Sequence, residues 1–283
     1  MANTPRYQPY LDVAPAPFRW RLGLRPLDLA HWLVLDEHYP VEIARKQDIM
    51  ATHPATAFRV LDDIDDEALE VRDAVVHHLE QLDDPRVGDA DPNLHPLDAA
   101  ARLVQEDLVL LVERDGQLVC GGGSVCFPNR WDLASKLGRS MAEIHEPVAQ
   151  LNEHLASPID KFLDRLTPER SYWRLGWGVL DTPELYQATD GTALPRPPAA
   201  TPDEHHLRVE RETLRRFPQT GCILFTIRTF ISPLGSVPGP DDAAALAEAI
   251  EAMPNDVAEY KQLDVVGSTL AAWLRQLATT STQ

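Results

Sequence analysis

The sequence predicts an α+β domain organised on an antiparallel sheet, and three observations carry that expectation. Strand-like runs of Val, Leu, Ile and aromatic residues concentrate between about residues 107 and 232. Helical periodicity lies before and after them, a segregation that favours α+β over a doubly wound parallel sheet. Asp115-Gly116 sits between two Leu/Val-rich runs and is the favoured two-residue turn of a hairpin. We expect one domain over residues 1–283, long enough to bury a substantial core. It divides into an N-terminal arm and helices (1–100), the sheet core (101–235) and C-terminal helices (236–283).

Residues 1–25 are rich in proline and aromatics, including Tyr7, Tyr10, Phe18 and Trp20. They read as an arm lying on the domain, because those rings would expose too much apolar area if it floated free. Asp28 is placed to cap a helix through Trp32 and Leu35, and a second helix spans Val41 to Met50. The acidic run from Asp62 to Glu67 precedes a periodic helix carrying Val71, Val75, Leu79 and Leu82. Carboxylates in a first turn oppose the positive end of the helix dipole, so the run reads as a solvated cap rather than a calcium site. Leu97 to Glu106 reads as a helix, followed by the hairpin from Asp107 to Phe127. Gly121 to Gly123 lack the spacing of a phosphate loop and mark a bulge or a close backbone approach.

A short helix from Ser157 to Leu166 leads to the strand Tyr172 to Leu180. There Trp173, Leu175, Trp177 and Val179 share one face, and Tyr172, Arg174, Gly176 and Gly178 the other. An Arg beside two glycines leaves room for something flat, or forms a sheet face with an exposed Arg. Residues 189–203 read as a surface loop. Glu204 to Phe217 reads as a strand turning into a short helix. Gly221 to Ile231 is the clearest strand, in which Arg228 needs an anionic partner or an exposed end. A helix from Pro240 to Met253 and another capped by Asn255, broken near Gly267, end the chain. No segment repeats another.

A net charge of −18 argues against nucleic acid and against anionic membrane, since no basic stripe is available to neutralise phosphates. Cys120, Cys126 and Cys222 contain no C-x-x-C, so cysteine alone assembles neither a zinc nor an iron–sulfur site. Three widely spaced cysteines also suit a reducing compartment. No signal-peptide core opens the chain and no run approaches a membrane span, so the expected location is cytoplasmic.

The chemistry concentrates between Ser124 and Asn152. An aromatic–proline corner (Phe127, Pro128, Trp131) and the cations Arg130, Lys136 and Arg139 precede His145-Glu146-Pro147. Pro147 biases Glu146 away from the helical region, which puts His145 at or near a helix end. Cations ahead of an imidazole suit an anionic cofactor with a metal at its centre. Haem fits: its propionates take Arg or Lys and its iron a neutral His nitrogen. The same histidine also reads as a helix cap or a surface residue. Nucleophilic catalysis lacks a G-x-S-x-G and an activated cysteine. A non-haem iron site from His145, His205 or His206 and Glu210 would need distant segments to converge.

The blocks EDLVLL, FPNRWDLASKLGRSMAEIHEPV, YWRLGW and LRVERETLRRFPQTGCILFTIRTFISPL resemble the haem-dependent oxidative N-demethylase family, in the family's order, from about Tyr10 to Pro233. The resemblance implies a PAS-like antiparallel sheet holding haem b, with His145 as ligand to the iron. It implies monooxygenase-type oxidation of an N-methyl group on a small methylated amine, consuming dioxygen and releasing formaldehyde. Arg208, Arg211, Arg228, Arg130 and Arg139 are then the candidates to hold propionates. Glu210, Trp177 and Trp173 are the candidates to receive an alkylammonium, which wants a carboxylate or aromatic faces. The chain has no dinucleotide or flavin fingerprint, so electrons would come from a separate reductase with flavin and iron–sulfur centres. The alternative reading is a non-catalytic haem-binding PAS-like sensor or carrier. The family pattern leads us to expect Asn before Trp177 where this chain has Gly176, which bears on the substrate more than on the haem. Monomer and homo-oligomer are both open at this level.

Overall fold

The computed structural model describes residues 18–193, 199–237 and 239–280. Most of the expected N-terminal arm and the centre of the Pro-rich loop lie outside the described residues. Strands β1 (Arg25–Leu27), β2 (Phe58–Val60), β3 (Asp107–Arg114), β4 (Gln117–Ser124), β5 (Ser171–Leu180), β6 (His206–Arg216) and β7 (Ile223–Pro233) form one sheet in the order β1-β5-β6-β7-β3-β4-β2. Every neighbouring pair is antiparallel. The helices are α1 (Tyr39–Thr52), α2 (Pro54–Ala57), α3 (Asp65–Leu82), α4 (Pro96–Ala101), α5 (Met141–Ile144), α6 (Leu151–Arg165), α7 (Pro240–Glu251), α8 (Asn255–Tyr260) and α9 (Gly267–Thr280). The five long strands, counted by appearance, lie in the order 2-1-5-4-3, with α5 and α6 in the crossover between the second and third. This is an α+β fold of PAS-like arrangement.

Strand alternation sorts side chains between the two faces. On one face Leu108, Leu110 and Leu224 pack with Trp32, Val71 and Val75, under α3. Farther along it Val179, Leu207 and Val209 pack under Leu246 of α7 and Leu270 of α9. On the other face Val109, Leu111 and Ile223 pack with Val125, Leu133 and Leu163, under α6. We call these the α3 face and the α6 face.

Local rules account for most boundaries. Asp65, Asp66 and Glu67 occupy the first turn of α3, as the dipole argument expects. Asp115 and Gly116 both have positive φ, 52° and 77°, which the tight hairpin turn requires. The register of β3 against β4 shifts between Leu110 and Leu111, the irregularity expected from the glycine run. At Gly122 a Cβ would stand 2.6 Å from the Arg59 carbonyl of β2. Gly122→Ala is therefore expected to cost about 1–3 kcal/mol, the usual range for overpacking. Urea denaturation against wild type measures this.

Tertiary contacts overrule three local expectations. The helix at Asp28 is a single 3-10 turn, Leu29–His31, because Arg211 takes the His31 and Trp32 carbonyls that a longer helix would use. β6 continues as strand to Arg216 rather than turning helical, since β5 and β7 pair with it on both sides. α6 begins at Leu151, before the expected start at Ser157, and carries Pro158 inside it on an exposed position. Arg228 finds its anionic partners: Asp36 at 2.6 Å and Glu42 at 2.8 Å. Lys46 donates to the Val104 and Glu106 carbonyls and lies 3.9 Å from Asp107. A buried ionic layer therefore ties α1 to the start of β3.

Candidate functional site

His145 caps the C-terminal end of α5, a single turn opened by a capping box. Ser140 N–H donates to Glu143 Oε2 at 2.9 Å, and Glu143 N–H donates back to Ser140 Oγ at 3.4 Å. The His145 backbone N–H donates to Met141, and its carbonyl accepts from Val148 at 2.9 Å. Lys136 Nζ donates to the neighbouring Ile144 carbonyl at 2.9 Å. The backbone of this histidine is thus held from three sides.

Its ring is not held in the same way. Nδ1 is buried and forms no hydrogen bond of full geometry, although the Met141 carbonyl is near enough to favour the protonated ring. Burial first, then the charges of Arg174 and Lys136, push its pKa down to about 4. The imidazole is neutral at pH 7, the state a metal ligand requires. The unfolded chain takes up this proton first as the pH falls, at its ordinary value of 6.5. Stability should therefore decline as pH drops from about 6.5 towards 4, and that ring should titrate near 4 in imidazole NMR. A midpoint near 6.5 in the folded protein would contradict its burial.

Arg174 comes from β5 and marks the α6 face, with Gly176 and Gly178 following on it. Their ladder partners on β6 are Glu212, Glu210 and Arg208. Arg174 Nε pairs with Glu212 Oε2 at 2.6 Å. Burial raises the Glu212 pKa against the pull of Arg174. A Cβ at residue 176 would stand 3.2 Å from Glu212 Oε1 and 3.7 Å from Glu210 Oε2, so two carboxylates converge above the glycine. Gly178 is buried, yet a Cβ there would meet nothing within 4 Å. Phe225 and Ile227, on the same face of central strand β7, are only half-buried. These three positions border unfilled space on the α6 face.

The expected arginines divide. Arg208 lies on this face and is consumed by the protein: it donates to Glu210 Oε1 (2.8 Å), the Phe127 carbonyl (2.6 Å), the Leu185 carbonyl (3.3 Å) and Thr229 Oγ1 (3.2 Å). Arg211 and Arg228 alternate to the α3 face. There they bind the N-terminal segment and the carboxylates of Asp36 and Glu42, so they do not face His145. Arg130 pairs with Asp181 at 3.0 Å and lines a groove of about 880 Å³ with His53 and Tyr186. Arg139, half exposed, lies 3.9 Å from Glu143. His145 lines neither that groove nor the one beside α6.

The aromatic cage is also redistributed. Trp173 and Trp177 alternate to the face opposite Glu210, with Arg25 and Arg211 over the Trp173 ring at 5.1 and 5.7 Å. At the edge of β5, Lys261 donates to the Trp177 carbonyl at 2.8 Å, and its ammonium lies 5.5 Å from the Trp177 ring centroid. Burial lowers the Lys261 pKa, and Glu210 opposes that shift. A cation of the protein's own therefore sits against Trp177 and within the field of Glu210. Glu212 was legible as the same-face neighbour two residues from Glu210. Lys261, from a separate helical segment, carried no sequence signal.

Among the described residues no three His, Cys, Asp or Glu converge to hold a metal, so the two-histidine–carboxylate centre is not assembled. His205 Nδ1 instead meets the Thr201 carbonyl at 3.0 Å. Burial drives the thiols of Cys120, Cys126 and Cys222 up to about 11, 12 and 12, unsuited to nucleophilic work. Haem asks less of the chain: one neutral imidazole, apolar walls and cations for the propionates. His145 with its partner-poor ring, the unfilled space at Gly178 and the nearby cations fit that group. No described helix is long and apolar enough to cross a membrane. The family model described as haem-dependent oxidative N-demethylase, alpha subunit-like, matches residues 23–82 and 80–271. On that match, which takes in α5, His145 and all five long strands, the chain belongs to the haem-dependent oxidative N-demethylase alpha subunit-like family.

Proposed function

We propose that this protein holds haem b through His145 and oxidises the N-methyl group of a small methylated amine. The observation that carries the reading is His145 at the end of α5, half-buried, neutral and with a buried Nδ1 lacking a hydrogen-bond partner, within the field of Arg174 from the α6 face, in a chain of this family. Bound haem would supply dioxygen activation, so that amine, dioxygen, two electrons and two protons give the demethylated amine, formaldehyde and water. The residues of the chain supply the rest. His145 offers a neutral nitrogen. Lys136 and Arg174, followed by Arg139 and Arg130, are the cations we assign to the propionates. Glu210 Oε2, facing Gly176, receives the ammonium of the substrate. Glu212, which holds a proton more readily than a solvated carboxylate, takes the proton that must leave before the amine is oxidised. Electrons arrive from a separate flavin and iron–sulfur reductase, and the setting is the cytoplasm.

Lys261 already occupies the field of Glu210 beside Trp177, and this favours a second reading, a haem carrier or sensor without turnover. One experiment separates the two. Haem-reconstituted protein is supplied with NADPH, a flavoprotein reductase, air and a panel of methylated amines. A Soret band with amine-dependent formaldehyde is expected. A Soret band without formaldehyde selects the carrier, and a colourless protein after reconstitution sinks both.

A further inference from the structure

A groove of about 700 Å³ lies between the end of α6 and the start of β5, lined among others by Lys161, Phe162, Arg165, Glu169, Arg170 and Tyr172. In a chain of net charge −18, three cations against one carboxylate invert the local balance. Lys161, Arg165 and Arg170 are all exposed, and none forms an ion pair among the described residues. Arg45, Arg72, Arg86 and Arg275, by contrast, are each paired with a carboxylate. Glu169 is engaged first by the Thr167 side chain and, more weakly, by the charge of its neighbour Arg170, which leaves Lys161 and Arg165 unopposed on the rim. Phe162 and Tyr172 form the floor, edge to face at 5.1 Å. Both pack in one apolar cluster with Met141 and Ile144, the latter adjoining His145.

We propose that this groove docks the acidic surface of an electron-donor protein, seating the donor's redox centre over Phe162 and Tyr172. The inference rests on the haem reading above and adds the place where electrons enter. Exposed rim cations steer and orient a partner more than they capture a small anion. At physiological salt the Debye length is about 8 Å, so a partner in contact feels this patch rather than the net charge of the whole chain. The half-buried rings offer the apolar anchor that rim charges lack. In the reduction measured below, one donor molecule would give up one electron and one bound haem iron would pass from ferric to ferrous, with no bond made or broken.

The test uses the full chain and two acidic probes, a two-iron ferredoxin and a flavodoxin. Binding to the haem-free protein is measured by calorimetry, and reduction of the haem-loaded protein by stopped flow. Lys161→Glu/Arg165→Glu/Arg170→Glu is compared with Arg45→Glu/Arg59→Glu/Arg72→Glu, which carries the same change in charge elsewhere. The groove variant should lose about 10-fold or more in the rate of reduction at low salt, with a flattened salt dependence. Its probe binding should weaken in parallel, while the control variant and reduction by dithionite change little. Equal losses in the two variants, or no reduction by either probe, would overturn the proposal. So would saturable binding of inorganic triphosphate lost in the groove variant while donor binding persists, which would make the groove a small-anion site. Failure to take up haem would end the haem reading and stop the reduction arm. The calorimetric arm would still decide whether acidic proteins dock here.

Discussion

His145→Ala is expected to abolish histidine-ligated haem binding. Losing a partner that merely orients a metal-ligating histidine costs about 10–100-fold in affinity. Removing the ligand itself should cost more than about 100-fold, with loss of the Soret and visible bands of the histidine-ligated form. The change should not unfold the protein, because α5 is held by its backbone and by the Ser140–Glu143 box rather than by the ring. Far-ultraviolet circular dichroism should therefore be unchanged. It should even relieve the penalty below pH 6.5 that keeping this imidazole neutral imposes on the wild type. His77→Ala, at an exposed position of α3, is the matching control and should bind haem normally. An unaltered spectrum in His145→Ala would remove the ligand assignment and, with it, the proposed site.

Arg228→Met is expected to lower stability by about 3–5 kcal/mol, the cost of leaving buried carboxylates without their counter-ion. The guanidinium is fully buried and bonded to Asp36 and Glu42, and its charge opposes the effect of burial on Glu106. The pH dependence gives the signature. Arg228 and Gln105 outweigh burial at Asp36 and hold its carboxyl below the usual range, whereas burial wins at Glu42 and Glu106 and raises them. Without Arg228 all three should rise, so the gap between variant and wild type should narrow as the pH falls into the carboxylate range. Urea unfolding from pH 7 to pH 4 measures this. A loss below about 1 kcal/mol, in the range of surface pairs, would mean that the pairs contribute little.

Local pattern carried far where local rules govern. The Asp115-Gly116 turn, the acidic first turn of α3, the break before α9 and the alternation of β5 were all readable in the chain. So was the placement of His145 at a helix end, because Pro147 acts on its immediate neighbour. Alternation also put Trp173 and Trp177 on the face opposite Arg174. Combining them with Glu210 required the register between β5 and β6, which no single strand reports.

The sequence by itself determined the α+β class, the hairpin, the family and the position of His145 at a helix end, each a matter of period, turn chemistry or contiguous motif. Only the tertiary structure decided which charges are free to serve a ligand. Arg208, Arg211 and Arg228 look alike in the chain, but folding sets each against different partners, Glu210, the His31 and Trp32 carbonyls, and Asp36 with Glu42. Burying a cation demands a counter-charge or acceptors, and those come from residues up to 192 positions away. The same long-range folding brings Lys261 beside Trp177 and leaves Lys161, Arg165 and Arg170 facing water.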